Sequence, residues 1–151
     1  MQKDLYHSED AILELASEIM RKRVMRDSHI SEPGKAGEYI KYRLSNKPHE
    51  VFGCLFLDTR HGVLAIEDLF NGTIDGAEVH PRVVAKRALE LNAAAVICYH
   101  NHPSGNPEPS AADRAVTARL KQALHLLDIR LLDHFVVAGD QAVSLAARGW
   151  V

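Results

Sequence analysis

The sequence predicts a mixed α/β fold in which one sheet is flanked by helices. Apolar runs of strand length alternate along the chain with amphipathic segments of helix length. The run from Ala93 to Tyr99 is apolar on both faces, which is typical of a strand at the centre of a sheet. Of the 151 residues, 46% are hydrophobic and 25% are charged, which suits a globular protein with one core of its own.

Helices are predicted from apolar residues spaced three or four apart and from the residues that begin or end a helix. Ser8 caps the first helix, and Pro48 follows the end of the second. Pro81 starts the third helix, and Ser110 starts the fourth. The first predicted helix begins directly after Ser8, and the other three cover residues 36–44, 81–92 and 110–127.

Strands are predicted where aliphatic and aromatic residues cluster between turn residues. Arg60, His61 and Gly62 predict a turn between the first two strands, and Asn71-Gly72 predicts another after the second. The predicted strands cover 50–58, 63–70, a short segment up to Val79, 93–99, 129–138 and 142–146.

The loop from Ser31 to Gly37, which contains proline and glycine, predicts a border between two parts of the chain. Residues 1–29 then form an N-terminal helical arm, and residues 30–151 form the main domain. The helix of the arm offers a surface for pairing with a second copy of the chain, so a homodimer is an open expectation.

Net charge and cysteine content narrow the classes of function. The formal net charge of −2 argues against a domain whose main task is to bind a phosphate backbone. DNA is a possible partner, but the net charge does not support it. Cys54 and Cys98 lie in apolar runs, so we expect no disulfide framework and predict a cytoplasmic location. The N-terminal residues lack the hydrophobic region of a signal peptide and no apolar run is long enough to span a membrane, so we expect neither feature.

The segment from Tyr99 to Asp113 (YHNHPSGNPEPSAAD) contains the candidate metal-binding residues. His100 and His102 lie two residues apart at the end of a predicted strand, so both imidazoles point to the same side of it. Asp113 shares the inward side of its helix with Leu120, and a carboxylate in that position needs a partner. We therefore expect the three side chains to converge.

Two histidines and one aspartate suit Zn²⁺ with a fourth position open to water, which is the pattern of catalytic zinc sites. Mn²⁺, Co²⁺ and Fe²⁺ accept the same ligand types. The alternative is a capped helix beside a polar loop, with no ion bound. Asp133 and His134 are either a pair that orients this site or ordinary core residues.

Hydrolysis at such a site also needs a general base and a hydrogen-bond donor for the oxyanion. Ser110 Oγ is the candidate donor, and together with Asp113 it also has the spacing of a helix capping box. Glu50, at the head of the first strand, is the natural candidate for the base. The alternatives are Glu67, Glu78 and Glu108.

The spacing of these residues resembles a known motif. His100-x-His102, seven residues, Ser110, two residues and Asp113 match the JAMM motif of MPN-domain metalloproteases, and HNHPSG resembles, more narrowly, the bacterial RadC family. Segments 50–58, 72–73, 79–82 and 132–134 also resemble RadC landmarks. The resemblance covers about residues 30 to 151. It implies an MPN fold, with a layered architecture similar to that of cytidine deaminases and zinc at the edge of the sheet.

By position, the resemblance implies that His100, His102 and Asp113 bind the metal, that Glu50 is the general base and that Ser110 stabilises the oxyanion. The implied activity is hydrolysis of a peptide or isopeptide bond through a zinc-activated water, with a peptide or protein as substrate. Longer RadC proteins carry an N-terminal helix–hairpin–helix region. The roughly 28 residues before the domain here are too few for it, so the chain resembles the short RadC type.

A second hypothesis is an accessory protein in DNA repair or mobile-element biology, either non-catalytic or nuclease-like. The metal would then be a structural brace, and a basic surface would face the DNA. The basic residues available for such a surface are Arg21, Lys22, Arg23, Arg82, Lys86 and Arg87.

Overall fold

The structure is a computed structural model that describes residues 8–26, 33–72 and 79–151. The helices are α1 (Glu9–Arg26), α2 (Pro33–Leu44), α3 (Pro81–Glu90) and α4 (Ala111–His125), followed near the end by a short 3₁₀ helix, Ala146–Arg148. The strands are β1 (Val51–Leu57), β2 (Val63–Asn71), β3 (Ala95–Asn101), β4 (Arg130–Ala138) and β5 (Gln141–Ser144). The predicted short strand up to Val79 falls on residues 73–78, which lie outside the described residues.

The described strands form one mixed sheet in the order β2-β1-β3-β4-β5. The central strand β3 pairs antiparallel with β1 and parallel with β4. The prediction that the apolar run after Ala93 is a central strand is therefore confirmed. The predicted fold class, a mixed sheet flanked by helices, is confirmed as well.

Each face of the sheet has its own apolar core. Side chains of β1 and β3 alternate between the two faces, as strand geometry requires. Leu55 and Ile97 pack with α2, while Cys54 and Cys98 lie on the opposite face with α3 and α4. His100 has the same strand parity as Cys98, so it faces the side of the sheet that carries α4.

A close approach inside the sheet requires glycine at position 53. A Cβ atom at Gly53 would collide with the ring of Tyr99 and with the carbonyl oxygen of Glu67. The Tyr99 hydroxyl crosses β1 here and donates a 2.6 Å hydrogen bond to Asp68, which also accepts a 3.1 Å bond from Arg43 of α2. This contact ties α2 to strands β2 and β3.

The first helix keeps part of its apolar surface exposed. Ile12, Leu15 and Ile19 have exposed fractions of 45%, 46% and 43%, while Met20 packs against the core below α2. Pairing of this helix with a second copy stays a prediction. In the described part of the chain, no helix combines the length and the hydrophobicity that crossing a membrane requires.

Candidate metal centre

Three side chains meet where β3 ends and α4 begins. His100 Nε2 lies 3.0 Å from His102 Nε2 and 3.0 Å from Asp113 Oδ1, and His102 Nε2 lies 3.1 Å from Asp113 Oδ2. Ligands about 2.0–2.1 Å from a tetrahedral zinc ion are separated from one another by about 3.3 Å. The donor set and its spacing therefore fit one zinc ion, and the three residues form a candidate metal-binding site.

Strand geometry places the two imidazoles side by side. His100 belongs to β3, and the His102 N–H donates a 2.8 Å hydrogen bond to the Val137 carbonyl of β4. The extended backbone thus continues one residue beyond β3, so both side chains leave it on the same side. His100 is buried, whereas His102 is partly exposed to the solvent.

A capping box at the start of α4 orients the carboxylate. The Ser110 hydroxyl oxygen accepts a 3.1 Å hydrogen bond from the Asp113 N–H, and the Ser110 N–H donates a 2.7 Å bond to Asp113 Oδ2. The predicted capping box is thus confirmed, and the cap uses the hydroxyl oxygen only as an acceptor. Burial disfavours the charge of Asp113, but the adjoining imidazoles of His100 and His102, which can take up a positive charge, hold its pKa far below the ordinary range.

The loop after His102 fixes the orientation of that ring. His102 Nδ1 lies 2.9 Å from the Asn106 carbonyl oxygen, which can only accept a hydrogen bond. Nδ1 must carry the hydrogen, so in the neutral ring the lone pair of Nε2 faces Asp113 and His100. In the charged ring Nε2 also carries a hydrogen and donates it to Asp113, and this bond raises the pKa of His102. Burial opposes the increase, and the negative charge of Glu50 adds to it.

Sheet register brings Glu50 to the same place. Because Phe52 lies opposite His100 in the antiparallel pair of β1 and β3, the chain two residues earlier reaches the level of His102. Glu50 lines an open cavity of about 580 Å³ together with His102, Ser110 and Asp113. The structure therefore places the predicted base, the predicted oxyanion donor and two of the three predicted ligands around one cavity.

The other glutamates proposed as bases are held elsewhere or lie outside the described residues. Arg87 Nη2 lies 2.6 Å from Glu67 Oε1, and the hydrogen bonds from Arg87 lower the pKa of Glu67. Arg148 donates a 2.9 Å hydrogen bond to Glu108 and likewise lowers its pKa. Glu78 lies in the segment 73–78. Among the described candidates, Glu50 is the one that lines the cavity.

Asn101 is a residue of the site that the sequence interpretation missed. Its Oδ1 accepts a 2.6 Å hydrogen bond from the Val51 N–H, and its Nδ2 donates a 2.9 Å bond to the His49 carbonyl. One buried side-chain amide therefore holds the backbone on both sides of Glu50. The available signal was a polar residue at a buried strand position between two candidate ligands.

The predicted pair of Asp133 and His134 separates into two roles. His134 is buried behind His100, with its Nε2 2.8 Å from His100 Nδ1, and burial lowers its pKa well below the usual value. Asp133 instead accepts hydrogen bonds from the Ser144 hydroxyl at 2.6 Å and from the Ala146 N–H at 2.9 Å. Of the two, His134 contacts the site, while Asp133 anchors the end of β5 and the residues that follow it.

Comparison with known proteins gives the family. A family model described as a RadC-like JAB domain matches residues 30–150. A UPF0758 protein of Xanthomonas campestris pv. campestris (strain 8004) is 59% identical over 141 residues, and those of Stutzerimonas stutzeri (strain A1501) and Azotobacter vinelandii (strain DJ / ATCC BAA-1303) are 56% and 54% identical. Each match covers 93% of this chain, which spans 63% of the length of these relatives. The names of the relatives state no activity. With its mixed sheet and its His-x-His and Asp cluster, the chain belongs to the RadC-like JAB domain family.

Proposed function

We propose that this chain is a metal-dependent hydrolase that cleaves a peptide or isopeptide bond and uses Zn²⁺. The observation that carries the proposal is the convergence of His100, His102 and Asp113 beside a cavity that Glu50 and Ser110 also line. When bound, zinc lowers the pKa of a water ligand to about 7 and polarises a substrate carbonyl.

The side chains around the cavity have complementary roles in this hydrolysis. The Glu50 carboxylate accepts a proton from the attacking water and transfers it to the nitrogen of the leaving amine. The Ser110 hydroxyl keeps its hydrogen available in the capping box, and it donates that hydrogen to the oxyanion that forms on the carbonyl. His100, His102 and Asp113 hold the ion, and hydrogen bonds to His134, Asn106 and Ser110 respectively keep them in place.

Two observations favour amide hydrolysis over nuclease chemistry. Among the described residues, His100, His102 and Asp113 are the one group of ligand residues close enough to share an ion, whereas phosphodiester cleavage commonly uses two metals. The basic surface expected for DNA binding is also partly neutralised. Arg21 pairs with Glu18 at 2.7 Å, and Arg87 pairs with Glu67 at 2.6 Å.

We also propose that the protein acts in the cytoplasm. Cys54 and Cys98 lie opposite each other on β1 and β3, and their thiols share a 3.6 Å hydrogen bond rather than a disulfide. Both are free thiols in the described structure, which agrees with a reducing compartment.

Elemental analysis of the purified, untagged protein tests the metal, and cleavage of quenched peptide and isopeptide-linked libraries tests the chemistry. We expect about one zinc ion per chain and cleavage that a chelator stops and added zinc restores. Metal binding without cleavage of any library, together with DNA binding at low salt, would favour the accessory role instead.

Asn101→Ala is expected to lower kcat by about 10- to 100-fold, because the segment that carries Glu50 loses its hydrogen bonds to the Asn101 amide. Zinc content and KM should change little, since the substituted side chain touches neither the ion position nor the cavity. Steady-state kinetics on a cleaved library peptide, with zinc content measured on the same sample, check this. Equal losses of zinc and activity would show that Asn101 acts on the metal ligands instead.

A further inference from the structure

A line of buried hydrogen bonds runs behind the candidate metal centre, from the backbone of Asp113 to the ring of His100. Its members are the Asp113 carbonyl, the Thr117 hydroxyl and the imidazole of His134. We propose that Thr117 and His134 are positioning residues that fix the tautomer of His100, so that the lone pair of its Nε2 faces the metal position. This inference rests on the proposed metal centre.

Thr117 determines which atoms donate and which accept along this line of hydrogen bonds. Thr117 lies one turn after Asp113 on α4 and is fully buried, and its Oγ1 is 2.8 Å from the Asp113 carbonyl oxygen. A carbonyl oxygen can only accept, so the single hydroxyl hydrogen must point to it. The Thr117 oxygen is then left with acceptor capacity only.

The next two contacts follow from this assignment. His134 Nδ1 lies 2.6 Å from Thr117 Oγ1 and must donate to it. A neutral imidazole with its hydrogen on Nδ1 has a bare Nε2, which lies 2.8 Å from His100 Nδ1 and accepts from it. His100 therefore carries its hydrogen on Nδ1 and leaves Nε2 bare, 3.0 Å from Asp113 Oδ1.

Asp113 thus acts on His100 from two sides. Its carboxylate meets His100 Nε2 in front, and its backbone carbonyl sets the tautomer from behind through Thr117 and His134. His102 reaches the same tautomer through one carbonyl, that of Asn106. His100 lies in the central strand, where the neighbouring backbone carbonyls are used in pairing with β1 and β4. The acceptor for its Nδ1 hydrogen is therefore a side chain, that of His134.

Packing holds the His134 ring in this arrangement. The Phe52 ring stands edge-on to His134, with centroids 5.5 Å apart, and is stacked against His100 at 6.2 Å. His134 is 1% exposed, so bulk water does not replace either of its hydrogen-bond partners.

Without the Thr117 hydroxyl, His134 and His100 can exchange their roles as hydrogen-bond acceptor and donor. His134 can then carry its hydrogen on Nε2 and donate to His100 Nδ1, which places the hydrogen of His100 on Nε2, where it blocks metal binding. Valine has the shape of threonine, and serine keeps the hydroxyl, so Thr117→Val and Thr117→Ser form a matched pair.

Zinc affinity is measured by competition with a chromophoric chelator, and thermal melts confirm that both variants are folded. We expect Thr117→Val to weaken zinc binding by about 10- to 100-fold and Thr117→Ser to stay within about threefold of the native protein. Equal affinity of the two variants would overturn the inference.

The ring ¹⁵N shifts of His134 give a second readout that needs no variant. We expect its hydrogen on Nδ1 in the native protein, both without metal and with added Zn²⁺. A hydrogen on Nε2 would overturn the inference. If the native protein binds no zinc, the proposed metal centre fails, and the His134 tautomer still decides whether the hydrogen-bond line has the stated direction.

Discussion

Glu50→Gln is expected to abolish hydrolysis while leaving the metal in place. The substitution keeps the shape of the side chain but removes its capacity to accept a proton from the attacking water, which costs about 10²- to 10⁴-fold in kcat. Glu50 is not part of the group of three ligand residues, so zinc content should equal that of the native protein. Single-turnover cleavage of a library peptide and elemental analysis of the same sample measure both quantities.

Glu67→Gln is the matched control for this substitution. Glu67 is bound by Arg87 and does not line the cavity, so its loss should leave kcat unchanged. A native rate in Glu50→Gln would remove Glu50 from the mechanism. Loss of zinc in Glu50→Gln would mean that Glu50 is a ligand, and a comparable loss of rate in Glu67→Gln would mean that the base was assigned to the wrong glutamate.

The core of the site was predictable because its determinants are local. The alternation of a strand points His100 and His102 the same way, and the spacing of Ser110 and Asp113 encodes a capping box. Neither property depends on which strands become neighbours. The three ligand candidates and the centre of the sheet could therefore be read along one stretch of the chain.

The surroundings of the site depend on contacts between distant segments. His134 reaches His100 because β4 pairs parallel with β3 in a register that sets Cys98 beside His134. Glu50 was the first candidate for the base from the sequence, but the ion pair that holds Glu67 to Arg87, 20 residues further along the chain, is seen only in the fold. Sheet order and register are tertiary properties, and no local periodicity reveals them.

Element ends were the other part that the sequence did not fix. Helices predicted to reach Asn92 and Leu127 end at Glu90 and His125. Asn92 and Asp128 have φ values of 54° and 57°, a left-handed conformation that ends a helix. The last predicted strand stops at Ser144, because the Asp133 carboxylate binds the Ser144 hydroxyl and the Ala146 N–H and turns the chain.

Ser110→Gly is expected to separate the two roles of this residue. Glycine is nearly as good as serine at a helix N-cap, so the free energy of unfolding should fall by only a few tenths of a kcal/mol. Loss of the hydroxyl removes the proposed donor to the oxyanion and should lower kcat by about 10²- to 10³-fold. Urea unfolding and steady-state kinetics at saturating zinc measure the two effects on one preparation.

Ser110→Ala and Ser110→Thr complete the comparison. Alanine lacks both functions, so it should lose about 1 kcal/mol of stability in addition to the same factor in kcat, whereas threonine should keep both. If the glycine variant cleaves at the native rate, Ser110 is a helix cap and no more. If only the alanine variant loses activity, the loss comes from a displaced start of α4, because the capping box is what orients the Asp113 carboxylate toward His100 and His102.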